Sequence, residues 1–154
     1  MSSGERMNRR KFISVTLWSS VGWAINPLSA TVTTDPWKAQ EPEDVIAALY
    51  GKDAKLVESN RVKIKAPKRV ENSCSVPIKI SSDIDAKRVI VLNAGNPTSL
   101  TGIFEIPKDE LIDYSFRIKL KQTCMLAVVI EDVHGVLYKN HFEIDVAISG
   151  GCGG

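Results

Sequence analysis

The sequence is short of the residues that most enzymes use for chemistry. It has two histidines, His134 and His141, and three cysteines in 154 residues. It contains no paired-cysteine metal motif and no glycine-rich phosphate loop, and a Ser-His-Asp arrangement is not apparent. These absences argue against a zinc centre, a nucleotide-hydrolysing site and a serine hydrolase. Aromatic residues make up only 6 % of the chain, and after residue 30 the single tryptophan is Trp37, read as helix packing. A basic surface is missing too. Residues 1–30 hold Arg6, Arg9, Arg10 and Lys11 against Glu5, which leaves 16 basic and 17 acidic residues in the rest. Nucleic acid is therefore excluded as an expected partner. The apolar stretch from Phe12 to Ile25 is shorter than the ~20 residues that a membrane span needs.

That stretch has another reading. Arg9, Arg10 and Lys11 form a basic region ahead of it, and Leu28-Ser29-Ala30 offers small residues for cleavage, the layout of an export signal. Arg9-Arg10, followed one residue later by Phe12, resembles the twin-arginine signal of bacteria. An ordinary secretory signal that contains two arginines is the plainer alternative, and retention as an N-terminal anchor is a third. Either export route leads to the periplasm, where thiols can be oxidised. The expected division is a cleaved signal over 1–30, one domain over 31–148 and a tail over 149–154. No membrane contact is expected of the mature form.

Within the domain, Pro42-Glu43-Asp44 followed by Val45, Ile46 and Leu49 predicts a short helix over about 42–50, stopped by Gly51. The pattern then changes to period two. Val62 and Ile64 alternate with lysines, and Cys74, Val76, Ile78 and Ile80 share one parity. Val89 to Leu92 is a short apolar run, and Ile103, Phe104 and Ile106 form another. Phe116, Ile118 and Leu120 alternate with Arg117 and Lys119, and Cys124, Leu126, Val128 and Ile130 follow in phase. Phe142, Ile144, Val146 and Ile148 alternate with His141, Glu143, Asp145 and Ala147. About seven strands separated by turn residues predict an all-β, immunoglobulin-like antiparallel β-sandwich with a short N-terminal helix. His141 falls on the polar face of its strand. Asp109, Glu110 and Asp113 read as a surface loop, and "RVKIKAPKRV" as a solvated strand face.

The cysteines carry the functional reading. Three is an odd number for an exported chain, so at least one thiol is free within the chain or pairs elsewhere. Cys74 and Cys124 each stand at the start of a strand and in phase with its inward residues. In such a sandwich those strands are the second and sixth, which face each other and run the same way. A Cys74–Cys124 disulfide is the expectation; two buried free thiols acting as small hydrophobes are the alternative. Cys152 lies in the terminal "ISGGCGG", between Gly150-Gly151 and Gly153-Gly154. No His, Lys or Arg is adjacent and no helix follows, so nothing in the sequence activates a thiol whose ordinary pKa is ~8.5. Glycine permits nearly all backbone angles, and five residues from Ile148 extend roughly 15–18 Å. The segment reads as a flexible arm that presents one thiol to other proteins. A tail with an incidental cysteine is the plain alternative.

These features together resemble the SoxY family, the sulfur-carrier subunit of the periplasmic thiosulfate-oxidising Sox system. The resemblance rests on the terminal "GGCGG" after "FEIDVAIS", the twin-arginine pair, "ENSCSVPIKI", Asn96-Pro97, "FRIKLKQ" and "GVLY". Ser73 stands where the family often has glycine. Cys74 and Cys124 lie outside the general family pattern, so their bridge is not inherited from it. The resemblance implies that Cys152 carries sulfur covalently, first as an S-thiosulfonate and then as persulfide forms, with no other cofactor. It implies a heterodimer with SoxZ and transient visits by SoxAX, which attaches thiosulfate oxidatively, by the hydrolase SoxB and, where present, by the sulfane dehydrogenase SoxCD. The chain itself would catalyse none of these steps. Two other classes remain open at this point. One is a ubiquitin-like carrier bearing a thiocarboxylate on Gly154, and the other is an accessory sandwich tethered by a tail disulfide.

Overall fold

A proline in the first turn of a helix gives up an N–H that has no partner there anyway. In a computed structural model of the chain, which describes residues 35–147, helix α1 runs Pro42–Tyr50. Glu43 and Asp44 occupy its first turn, where carboxylates meet the positive end of the helix dipole. Gly51 ends it at φ 90°, and its N–H donates to the Ala47 carbonyl at 2.9 Å. A single 3-10 turn, Pro36–Lys38, precedes the helix, and the Asp35 carboxylate accepts from the Trp37 N–H at 3.0 Å. The turn is closed by its own hydrogen bonds, and Trp37 is 53 % exposed.

The strands are β1 (Leu56–Glu58), β2 (Lys63–Lys65), β3 (Arg69–Val70), β4 (Val76–Ser82), β5 (Ala86–Asn93), β6 (Leu100–Glu105), β7 (Ile112–Ile118), β8 (Cys124–Asp132) and β9 (Leu137–Val146). One sheet has the order β1-β9-β8-β5-β6, with β3 beside the end of β9. The other has the order β2-β4-β7. Seven of these strands match the period-two segments. The additions, β1 and β3, both pair in parallel with β9 on an otherwise antiparallel fold.

The two sheets face each other across one core. Val76, Ile78, Ile80 and Ile118 from the smaller sheet meet Val89, Val91, Leu126, Val128, Ile130 and Ile144 from the larger. The larger sheet is covered on its second face as well. There Val45 and Ile46 of α1 pack with Ile90, Leu92, Val129 and Leu137, each buried side chain contributing ~1.5–3 kcal/mol. This explains why β5 reads as a continuous apolar run while β7 alternates. Val89 to Asn93 are all buried, whereas the second face of β7 is open to solvent. Among the described residues no helix is long and apolar enough to cross a membrane.

Candidate functional site

Cys152 and its flanking Gly150, Gly151, Gly153 and Gly154 lie outside the described residues, as do Arg9 and Arg10. The structure does describe the strand that precedes this segment. Strand β9 is held on both sides at its last residues. The Asp145 N–H donates to the Lys68 carbonyl at 2.8 Å and the Ala147 N–H to the Val70 carbonyl at 2.9 Å. On the other side the Val146 N–H donates to Thr123 Oγ1 at 2.9 Å. The Thr123 hydroxyl in turn donates to Asp145 Oδ1 at 3.1 Å, and Arg69 Nη1 pairs with Asp145 Oδ2 at 3.2 Å. The end of β9 is therefore a fixed point beside Val70.

Cys74 belongs to the same neighbourhood. It lies in the turn between β3 and β4, half-buried, four residues after Val70. Its N–H donates to Asn72 Oδ1 at 3.1 Å, which closes the turn. The Leu120 N–H donates to the Ser73 carbonyl at 2.8 Å. Arg117 Nη1 reaches the Ser75 carbonyl at 3.1 Å and its hydroxyl at 3.3 Å.

Cys124 is placed differently. It opens β8 as expected and is buried, at 7 % exposure. It packs on the loop between β5 and β6. A Cβ added at Gly95 would come within 2.5 Å of the Cys124 Cβ and 3.2 Å of its Sγ. Burial pushes the thiol pKa up, offset in part by a backbone hydrogen bond at Gly95. Cys124 is a free thiol, whereas Cys74 is disulfide-bonded. The expected Cys74–Cys124 bridge is therefore not formed. The phase argument placed both residues at inward positions, but Cys74 precedes β4 by two residues in a capped turn, and the loop carrying Gly95 packs against the Cys124 side chain.

That loop is built by residues the sequence reading passed over. Asn93 is buried, and its Oδ1 accepts from the N–H groups of Gly95 at 3.2 Å and Asn96 at 2.9 Å. Its Nδ2 donates to Thr101 Oγ1 at 2.6 Å, and the Ser99 hydroxyl donates to the Asn93 carbonyl at 2.7 Å. Asn96 then clasps the segment after β7. It donates to the Lys119 carbonyl at 2.9 Å and accepts from the Lys121 N–H at 2.9 Å. Of this loop the sequence reading had singled out Asn96-Pro97 alone; nothing in the sequence marked Thr123 as the clamp on β9.

The remaining candidates sit apart from this region. His141 is exposed on β9, and the His134 N–H donates to Asp132 Oδ1 in the β8–β9 turn. The acidic loop is tied up in surface contacts, with Tyr114 donating to Glu110 at 2.7 Å and Lys79 pairing with Asp113 at 2.7 Å. A second buried polar centre lies under α1. The Tyr50 hydroxyl donates to Glu131 Oε2 at 2.7 Å, with Lys87 and Arg88 at 3.4 and 3.7 Å from the same carboxylate. Burial, then this hydrogen bond, push the Tyr50 pKa up to about 12. Among the described residues no group of three or more His, Cys, Asp or Glu side chains is placed to hold a metal ion.

Comparison with known proteins matches this architecture to one family in particular. The structure of the sulfur carrier protein SoxY from Chlorobium limicola f thiosulfatophilum superposes with a TM-score of 0.62 at 29 % identity, covering 68 % of this chain and 94 % of that one. A superoxide reductase (neelaredoxin) from Ignicoccus hospitalis gives a TM-score of 0.51 at 19 % identity, covering 56 % of this chain and 80 % of that one. Its likeness shows the fold alone. No curated protein sequence matches the chain. A family model described as sulfur oxidation protein SoxY matches residues 46–152, a span that ends on Cys152. The chain belongs to the SoxY family of sulfur oxidation proteins.

Proposed function

We propose that this protein is a covalent carrier of sulfur intermediates in thiosulfate oxidation and that Cys152 is the attachment site. The observation that carries this reading is the family match, whose span runs through the sandwich and ends on that cysteine. The clamped end of β9 supports it. A carrier thiol needs a fixed root and a deliverable tip, and four glycines around Cys152 give the tip its freedom of backbone angle.

The chemistry follows from what surrounds the thiol in sequence. No neighbouring base lowers its pKa, so the visiting enzyme must activate it. Loading joins the Cys152 thiolate to the terminal sulfur of thiosulfate, forming one S–S bond and releasing two electrons, which a haem-containing partner of the SoxAX type accepts. Hydrolysis by a SoxB-type enzyme then releases sulfate and leaves a persulfide. Where a SoxCD-type dehydrogenase is present, it oxidises the remaining sulfur. The carrier supplies no catalytic group to these steps and holds no cofactor beyond the bound sulfur. It works as a heterodimer with SoxZ, in the periplasm, after export through the signal over residues 1–30.

The test is thiosulfate-dependent turnover in a reconstituted system. Cys152→Ser is expected to abolish it while leaving the fold and the SoxZ complex intact. Replacing Gly150 and Gly151 with valine is expected to slow turnover while the thiol still reacts with small alkylating reagents. Turnover of Cys152→Ser at the wild-type rate overturns the carrier reading.

A further inference from the structure

We propose that the outer face of the β2-β4-β7 sheet is a docking surface for an enzyme whose active-site rim is acidic. That the visitor acts on bound sulfur rests on the carrier reading. That it is acidic rests on the face itself.

Composition hides this face. Residues 31–154 carry 16 basic and 17 acidic side chains, so a basic surface exists only where the fold gathers one. Antiparallel pairing does so. Lys65 stands opposite Lys79, and Lys79 opposite Ser115. The neighbouring rungs set Lys63 with Ser81 and Asp113, and Pro77 with Arg117. Ile64, Ile78, Ile80 and Ile118, between them in sequence, pack on the core, so the period of two puts the others on the outer face together. Four cations, Lys63, Lys65, Lys79 and Arg117, thus share that face with one acid, Asp113. Lys79 pairs with Asp113 at 2.7 Å, and Asp83, just past β4, is taken by Arg61 at 2.9 Å. Arg117 is held by the Ser75 carbonyl at 3.1 Å and hydroxyl at 3.3 Å. Both acceptors are neutral, so they fix the guanidinium and leave its charge. Among the described residues no ion pair takes up Lys63, Lys65 or Arg117.

The face is also grooved. β2 pairs with β4 only over Lys63–Lys65, and the chain then turns away at Ala66-Pro67 to join β9 as β3. A groove of about 480 Å³ opens there, lined by Lys65, Pro67, Pro77, Lys79 and Arg117 among others. The length of β4 that β2 leaves unpaired has Pro77 at its centre. Pro77 has no N–H to offer an added strand, so the groove receives side chains and not a backbone ladder. Lys68 follows Pro67, and its carbonyl accepts from the Asp145 N–H at 2.8 Å. A partner in the groove therefore sits close to where β9 ends.

The rest of the molecule selects the sign and kind of partner. Helix α1 covers the outer face of the other sheet, with Glu41, Glu43 and Asp44 at its start. Charge is separated across the sandwich, acidic beyond the larger sheet and basic beyond the smaller one, which turns the smaller sheet toward an acidic visitor. The three uncompensated cations neutralise too few phosphates to hold a nucleic acid at physiological salt. Prolines beside lysines and an arginine instead match a protein rim in which carboxylates stand among apolar side chains.

The experiment measures turnover of the carrier, as its SoxZ complex, by SoxAX-type and SoxB-type enzymes across a range of salt. Lys63→Glu combined with Lys65→Glu is expected to raise KM for the carrier about tenfold at low salt with kcat unchanged. Added salt should raise the wild-type KM and leave the variant's almost unmoved. Lys52→Glu, beyond α1, should behave as the wild type. Acetylation footprinting of the wild-type complex keeps the test decisive if the double variant fails to fold. Lys63 and Lys65 should react in the SoxZ complex and be protected by saturating enzyme. A KM that neither the reversal nor salt moves overturns the proposal. So does a footprint in which SoxZ alone covers both lysines, or tighter binding of a DNA duplex or anionic vesicles than of either enzyme. The two readings fail separately. Protection of the lysines by an enzyme that transfers no sulfur to the carrier overturns the carrier reading alone, and sulfur transfer indifferent to the reversal and to salt overturns this inference alone.

Discussion

Cys74 and Cys124 stand fifty residues apart in sequence, in the same phase relative to the strands that follow them, yet they meet different fates. Cys124 is the first residue of its strand and is packed against the backbone of Gly95. It behaves as a small buried hydrophobe, its thiol held protonated by desolvation. Cys74 stands two residues outside its strand, in a turn closed by Asn72, beside the point where β9 ends. It is half-buried and oxidised. Strand phase tells which face a residue serves.

The largest effect that should separate the two cysteines is redox-dependent stability. Cys74 is disulfide-bonded, and a native disulfide contributes about 2–4 kcal/mol. The urea midpoint of the wild-type chain should fall on reduction and match that of Cys74→Ser, which should itself be insensitive to reductant. Cys124→Ala should lose its stability equally in both conditions. A Cys124→Ala variant that is destabilised only when oxidised would reverse the assignments.

A smaller effect tests the packing of Cys124. Gly95→Ala places a Cβ 2.5 Å from the Cys124 Cβ and 3.1 Å from the Gln122 carbonyl. Overpacking of this kind costs roughly 1–3 kcal/mol. Because the clash is with Cβ, adding Cys124→Ala should not rescue Gly95→Ala, whereas Cys124→Gly should recover part of the loss. Denaturant titrations of the single and double variants measure both. Equal rescue by alanine would show that the sulfur, and not the backbone spacing, fills the site.

How far the sequence foretold this contrast is instructive. Helix α1 was legible to the residue because Pro42, the two acids and Gly51 each act locally, and seven strands were legible from alternation or, for β5 and β6, from short apolar runs bounded by turn residues. Strands β1 and β3 were not. Three and two residues are too few to show a period, and they exist only because β9 offers an edge to pair with. The disulfide was misread for a related reason. Phase fixes the direction of a side chain but not its height along the sandwich, and β3, which brings Cys74 beside the end of β9, is the strand the sequence concealed. Thr123, the clamp on Val146, is a lone threonine with no pattern around it.

The smallest effect concerns the far face of the larger sheet, a control that neither cysteine should touch. Tyr50 has its pKa raised from the ordinary ~10 to about 12, by burial first and then by its hydrogen bond to Glu131. A group whose folded pKa is raised adds stability below its unfolded pKa and loses it as pH climbs through the folded value. Wild-type stability should therefore decline between about pH 10 and 12 through this group, with Tyr50→Phe lacking that component. At neutral pH Tyr50→Phe should cost ~1 kcal/mol for the lost hydrogen bond. Its redox response should remain that of the wild type, and a changed response would mean the two regions are coupled.

The central claim is that sulfur rides on Cys152, and mapping the adduct tests it most directly. The reduced full chain would be incubated with thiosulfate and a SoxAX-type partner, then digested under conditions that preserve S–S bonds and analysed by mass spectrometry. The account predicts a thiosulfate adduct on the peptide containing Cys152, absent in Cys152→Ser, with Cys124 unmodified. An adduct of equal yield in Cys152→Ser, or one found on Cys124 instead, would contradict it.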